Sequence, residues 1–231
     1  MNNTSKRNFE IAIIGSGFAG IGMGAQLKRA GRDDFIILER ADEVGGTWRD
    51  NTYPGAACDV PSPLYSFSFR LNPNWSRMFS PGSEILAYMK TVAEEEGLIP
   101  HVQFNSPVEN AAWDPQERVW RIRTPNGEVT ATYLITGTGH LADESLPKIP
   151  GLESFNGEVF HSARWNHNTS LEGKRVGIVG SGASAIQIVP EVAKMAKHLT
   201  VFQRSASYML PRPDRAFSRA EKQLFNRDHD A

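Results

Sequence analysis

The chain has 231 residues, 40% hydrophobic and 22% charged, with a formal net charge of −1. That allows one large domain or a domain with part of another, excludes a disordered chain, and lacks the basic excess of a general nucleic-acid or anionic-membrane binder. The single cysteine, Cys58, excludes an internal disulfide or a CxxC redox pair within these residues.

The opening residues carry no secretory pattern: after Lys6 and Arg7 come Phe9, the acidic Glu10 and only Ile11 to Ile14 before Gly15. No run approaches the roughly 20 apolar residues of a membrane helix, so a cytoplasmic protein without membrane attachment is expected.

In chain order, residues 9–14 predict a buried strand, GSGFAG a tight turn, and the following residues a helix stopping near Gly31. Residues 35–39 predict the next strand, which completes a βαβ unit and implies a parallel sheet. From Arg40 to Gly82 the chain is crowded with Gly, Pro, Asn, Ser and aromatic residues and has little periodicity. Loops of that length are usually functional. Residues 83–97 predict an amphipathic helix capped by Ser83 and Gly97. Residues 108–114, 118–124 and 128–135 alternate and are separated by Asp114-Pro115 and Asn126-Gly127, the signature of an antiparallel meander. Residues 132–140 read as a buried strand running into a glycine turn. Pro147 and Pro150 mark a linker, dividing a first domain, 1–150, from a second, 151–231. Within the second, residues 174–205 repeat the opening order of strand, glycine turn, helix and strand. Residues 214–231 predict a polar helix, with no closing strand after it. The fold class is α/β: a Rossmann-like domain with an antiparallel β-meander, plus a partial second Rossmann domain.

The first turn, Gly15 to Gly20, fits GxGxxG between a strand and a helix. Gly15 serves the tight turn, Gly17 lets backbone approach a pyrophosphate, and Gly20 permits close helix–strand packing. The pyrophosphate would rest on the helix N-terminus, where free N–H groups favour negative charge. Glu39 ends the next strand, where an acid can hold a ribose hydroxyl. The reading is an adenine dinucleotide without a 2′-phosphate, FAD or NAD, against a plain packing turn. The second turn, Gly180 to Ala185, fits GxGxxA, and at the matching offset stands Arg204. A cation there attracts a 2′-phosphate and points to NADPH over NADH, against a chance surface arginine. Two such sites in one chain suggest electron transfer from NADPH to a flavin.

Residues 155–166 fit FxGxxxHxxxW through Phe155, Gly157, His161 and Trp165, and residues 45–59 fit GGxWxxxxYPGxxxD at every defined position. Both patterns resemble those of the Baeyer–Villiger monooxygenases, with Asn166 and Ala57 departing from the commonest residues. The resemblance runs from about Phe9 past Arg204. It implies an FAD- and NADPH-dependent enzyme that uses O2 to insert oxygen beside a ketone carbonyl, giving an ester or lactone. It assigns Gly15, Gly17, Ala19 and Gly20 to the flavin pyrophosphate and Glu39 to the ribose. Thr47, Trp48, Asp59, Val60 and Tyr65 would lie beside the flavin, Val108 at the adenine, and His140 near the flavin from the sheet end. Gly180, Gly182, Ala183, Ser184, Ala185 and Gln187 would wrap the nicotinamide phosphates, with Arg204 and Ser205 on the 2′-phosphate. Asp59 would be catalytic, and His161 structural. Members of that family are longer, so the resemblance implies a fragment or truncated form that exposes edges and apolar faces. The alternatives are a flavin-containing monooxygenase acting on sulfur or nitrogen, and a non-catalytic flavin-binding fragment. Trp113 and Trp120 read as core aromatics, Cys58 as a buried thiol. No metal site is expected, because His161 and His167 lack a helical or CxxC context.

Overall fold

The computed structural model describes residues 8–227, so Lys6, Arg7 and the last four residues of the expected terminal helix lie outside the described residues. The backbone divides into two compact units. One holds the residues up to Arg49 together with Leu86–Ala142, the other Asp50–Ile85 together with the residues from Asp143 onward.

The first unit is built on a six-stranded mixed sheet. Strand β1 (Asn8–Ile14) runs through the glycine turn into helix α1 (Phe18–Arg29), which returns to β2 (Phe35–Leu38). All four residues of β2 are buried, as a central parallel strand covered on both faces requires. Helix α1 ends in a Schellman motif: Gly31 has φ +70, its N–H bonds to the Lys28 carbonyl at 3.0 Å, and the Arg32 N–H bonds to Leu27 at 2.9 Å. Strands β3 (Val102–Gln103), β4 (Asn110–Asp114), β5 (Val119–Thr124) and β6 (Gly127–Thr136) complete the sheet in the order β3-β2-β1-β6-β5-β4. Strands β4, β5 and β6 form the expected antiparallel meander, and β6 pairs parallel to β1 along its length. The two segments read separately over 128–135 and 132–140 are therefore one strand. The short β3 carries too few residues for any periodicity to reveal it. Trp113 and Trp120 face each other across β4 and β5, edge to face at 5.7 Å, and Trp113 is 46% exposed. It is an edge-strand aromatic and not the core residue expected.

Helices α2 (Thr47–Asp50) and α3 (Gly82–Glu95) cross the divisions between the units. Ser83, expected as the cap of α3, lies inside its first turn. The helix starts one residue earlier because the Pro81 carbonyl already accepts from Glu84 and Ile85. Gly97, at φ +65, closes α3 as expected.

In the second unit, β7 (Arg175–Val179), helix α4 (Ala183–Val192) and β8 (His198–Phe202) repeat the strand–turn–helix–strand order, with the two strands parallel. This two-stranded sheet leaves Val179 60% and Phe202 57% exposed. Helix α5 (Arg219–Arg227) is polar. Among the described residues no helix is long and apolar enough to cross a membrane.

Candidate functional site

The first glycine turn is held by three close backbone contacts, two of which leave no room for a side chain. Gly15 has φ +93, and a Cβ there would come within 2.6 Å of the Gly137 carbonyl oxygen at the end of β6. A Cβ on Gly20 would meet the Gly15 carbonyl oxygen at 1.8 Å. A Cβ on Gly137 would meet the Gly20 nitrogen at 3.2 Å. Gly17 is different: at φ −77 its Cβ would meet only the Gly46 Cα, at 3.8 Å, an ordinary contact. Packing inside the chain therefore does not require glycine at position 17, whereas the close approach of a ligand would. Gly17 is also the N-cap of α1, without a side-chain cap bond and without an acid in the first turn. The turn is thus open, bare and electropositive at one place, which fits a dinucleotide pyrophosphate.

Glu39 follows β2 and is 3% exposed. One carboxylate oxygen accepts the Ser16 N–H at 2.8 Å and the Ser16 hydroxyl at 2.6 Å. The other accepts the Ala41 N–H at 2.9 Å and the Arg49 Nη1 at 3.1 Å. Burial pushes this carboxyl up, but the Ser16 hydroxyl, the two amides and the Arg49 charge outweigh it and hold it below the usual range. A carboxylate has about four lone-pair directions, and four donors fill them. Nothing in the sequence spacing singles out Ser16 or Arg49: the first is a variable position of the glycine pattern, the second a variable position of the 45–59 signature. Ala19 is exposed on α1, and Thr47 exposed and Trp48 half-buried on α2. Val108 is partly buried and packs against the sheet core of Ala12, Ile36, Leu38 and Ile122. His140 is exposed one residue beyond Gly139.

The second turn has the same shape in its own unit. Gly180 has φ +110, and added Cβ atoms at Gly180 and Gly182 would meet nothing within 4 Å. Gly182 is the N-cap of α4, again without a side-chain cap bond, and Ala183, Ser184 and Ala185 form its first turn. The Ser181 hydroxyl donates to the Ser205 carbonyl at 3.3 Å, and the Ser207 hydroxyl donates to the Ser181 carbonyl at 2.8 Å. These bonds bring the Arg204–Ser205 segment beside the glycine turn. Arg204 is exposed and makes no ion pair among the described residues.

Asp59 and Val60 are exposed and Tyr65 half-buried in the second unit. Their loop is anchored by Cys58, whose N–H bonds to the Ser80 carbonyl at 3.0 Å and whose carbonyl accepts from Arg212 at 3.3 Å. Arg212 also lies over the Phe79 ring at 5.6 Å. The Cys58 side chain is buried, and burial pushes its thiol up. Gln187, expected at the phosphates, binds the 53–57 loop with both ends of its amide. The residues of the FxGxxxHxxxW pattern are absorbed locally. The Phe155 ring covers Gly157, where a Cβ would lie 2.5 Å from it, His161 accepts the Ala163 N–H at 3.1 Å, and Trp165 meets Phe160 edge to face at 5.1 Å.

These features define an α/β protein with two dinucleotide-type glycine turns, each opening a helix, with an acid after the first βαβ unit and a cation after the second. The chain belongs to the pyridine nucleotide-disulphide oxidoreductase family, whose match covers residues 12–219. It is similar to a Baeyer–Villiger monooxygenase of Streptomyces coelicolor, 53% identical over 214 residues, covering 93% of this chain and 41% of that protein. A Baeyer–Villiger monooxygenase of Pseudomonas aeruginosa is 45% identical over 222 residues, covering 96% of this chain and 42% of the relative. The solved structure of an oxidized steroid monooxygenase bound to NADP superposes with a TM-score of 0.89 at 36% identity, covering 97% of this chain and 44% of that one. The resemblance read from residues 45–59 and 155–166 is thus found along nearly the whole chain. The chain spans about two fifths of the length of the curated relatives it matches.

Proposed function

We infer that the chain is the dinucleotide-binding portion of an FAD- and NADPH-dependent monooxygenase that inserts one oxygen atom, taken from O2, beside a ketone carbonyl. The observation that supports two nucleotide sites is the pair Gly17 and Gly182: each caps a helix, and neither is required to be glycine by its neighbours. Gly15, Gly17, Ala19 and Gly20 would hold the FAD pyrophosphate. Glu39 would hold the adenosine ribose by exchanging the Ser16 hydroxyl for a ribose hydroxyl, because every acceptor direction is otherwise filled. Gly180 and Gly182 to Ala185 would hold the NADPH pyrophosphate, with Arg204 and the Ser205 segment on the 2′-phosphate. The domain that binds NADPH would begin near Gly151. FAD, once bound, supplies the two-electron and oxygen chemistry that no side chain of this chain can perform. Ketone oxygenation as the reaction rests on the names of the relatives and on the two signatures.

The test is a titration of the 231-residue chain with FAD, followed by NADPH under anaerobic conditions. Saturable FAD uptake and bleaching of the flavin band by NADPH support the reading. Absence of FAD uptake by a folded chain overturns it. Uptake without bleaching leaves a flavin-binding portion that needs the remaining length of its relatives.

A further inference from the structure

We propose that Gln187 is a positioning residue that fixes the loop carrying Asp59. Gln187 stands one turn into α4. Its Oε1 accepts the Tyr53 hydroxyl at 3.1 Å and the Ala57 N–H at 3.4 Å, while its Nε2 donates to the Ala57 carbonyl at 2.8 Å. Both backbone groups of Ala57 are thus read by one primary amide, in the manner of a neighbouring strand. The same residue approaches the loop closely a second time through its backbone. Gly55 has φ +81, and a Cβ there would lie 2.5 Å from the Gln187 carbonyl oxygen and 3.1 Å from the Glu191 Cγ. The Tyr and the Gly of the Tyr-Pro-Gly part of the long signature therefore have a physical reason, the close approach of loop and helix.

The opposite edge of the segment is held mainly by backbone: the Cys58 N–H bonds to Ser80 at 3.0 Å and the Gly82 N–H bonds to the Ala56 carbonyl at 2.8 Å, with the Arg212 side chain on the Cys58 carbonyl. Ala57 is clamped between that edge and α4, and Asp59 projects two residues further on, exposed. Only a side chain with a donor and an acceptor at one end serves Ala57 in this way. A glutamate offers acceptors alone when ionised, and asparagine is one methylene shorter. An amide committed to this loop is not available to a phosphate, so the loop is the role assigned to Gln187. The latch rests on the geometry alone; its importance for chemistry at Asp59 rests on the function proposed above.

The test needs no nucleotide. Amide hydrogen exchange of the 231-residue chain, read residue by residue and normalised to intrinsic rates, reports protection at Ala57 in the parent, in Gln187→Ala and in Gln187→Glu. Gln187→Ala is expected to lower Ala57 protection by roughly 10-fold or more while β1 and α1 amides keep theirs. Gln187→Glu keeps an acceptor for the Ala57 N–H but turns a second acceptor toward the Ala57 carbonyl. Through that repulsion it is expected to lose protection near pH 7 and to regain it below about pH 4, as its carboxyl takes up a proton and can again donate. A merely space-filling residue gives no such rescue. Unchanged Ala57 protection in Gln187→Ala, or a loss in Gln187→Glu that is the same at both pH values, overturns the proposal. If Gln187→Ala does not fold, the glutamate variant decides alone. Absence of FAD uptake by the folded parent would refute the proposed function and leave this result standing.

Discussion

Gly20 sits directly against Gly15, so close that a Cβ on Gly20 would lie 1.8 Å from the Gly15 carbonyl oxygen. Two residues away in the pattern, Gly17 has no such neighbour, its Cβ meeting only the Gly46 Cα at 3.8 Å. The glycines of one motif therefore do different work, and substitution separates them. Gly20→Ala must push helix from strand and is expected to cost on the order of 3 kcal/mol or more of stability. Gly17→Val is expected to leave a folded chain while abolishing flavin uptake, because the branched side chain fills the space a pyrophosphate needs. Urea unfolding and the flavin absorption spectrum, measured on both variants, check the contrast. Unchanged flavin content in Gly17→Val would remove the assignment.

Both βαβ units were legible because strand, glycine turn and helix are local signals: a short apolar run, a turn that needs positive φ at Gly15 and Gly180, and a Schellman end at Gly31. The meander was legible for the same reason, through Asn126-Gly127 and alternation. The strand β3 was not, being two residues whose pairing with β2 is decided by tertiary contact. Nor were the partners of Glu39. Its place at the strand end was readable, but that it is buried and that Ser16 and Arg49 fill it depends on how the turn and α2 fold back. Gln187 shows the same limit: its place in α4 is local, its grip on a loop more than a hundred residues earlier is not.

Glu39 should set an acid limit on stability. Its carboxyl is held below the ordinary glutamate value in the folded chain, so its stabilisation is present above the unfolded value and is lost as pH falls through the folded one. Glu39→Gln turns an amide NH2 toward donors and leaves Arg49 without its carboxylate. The expected loss is on the order of 3 kcal/mol at pH 7. The gap between parent and variant should narrow as the pH is lowered below about 4. Urea unfolding at both pH values reads it, and a gap independent of pH would show that the charge is not what matters.

Cys58 should be chemically silent in the native chain. Its thiol is buried, and burial pushes its pKa up, so little thiolate is present and reagents cannot reach it. Reaction with a disulfide reagent is expected to be slow in buffer and rapid in denaturant. Rapid modification of the native chain would mean that the 53–59 loop opens readily.

Arg204 should discriminate between the nicotinamide nucleotides. It is exposed beside the Gly180 turn, tied there through the Ser181 and Ser205 hydrogen bond. A guanidinium forms charge-assisted bonds with a phosphate and none of comparable strength with the hydroxyl that NADH carries instead. Arg204→Ala is expected to weaken NADPH binding by roughly 10-fold or more and to leave NADH nearly unchanged. Equal losses for both would show that Arg204 does not read the 2′-phosphate.

Asp59 is expected to act in oxygen transfer and not in holding FAD. It is exposed at the end of a loop whose backbone is fixed by Ser80, Arg212 and Gln187, so the acid is presented without being needed to close the structure. A carboxylate so held can orient and charge-match a cation, and that cation stabilises an oxyanion which develops only during reaction. Removing the acid then leaves binding and electron transfer in place. In a polypeptide of the relatives' full length, Asp59→Ala is expected to take up FAD and to oxidise NADPH near the parent rate. Ketone oxygenation should be lost, with hydrogen peroxide released in its stead. FAD content, NADPH oxidation, peroxide and ester formation, measured together, distinguish the outcomes: a variant that takes up no FAD makes Asp59 structural, and one that oxygenates ketones at the parent rate removes it from the chemistry.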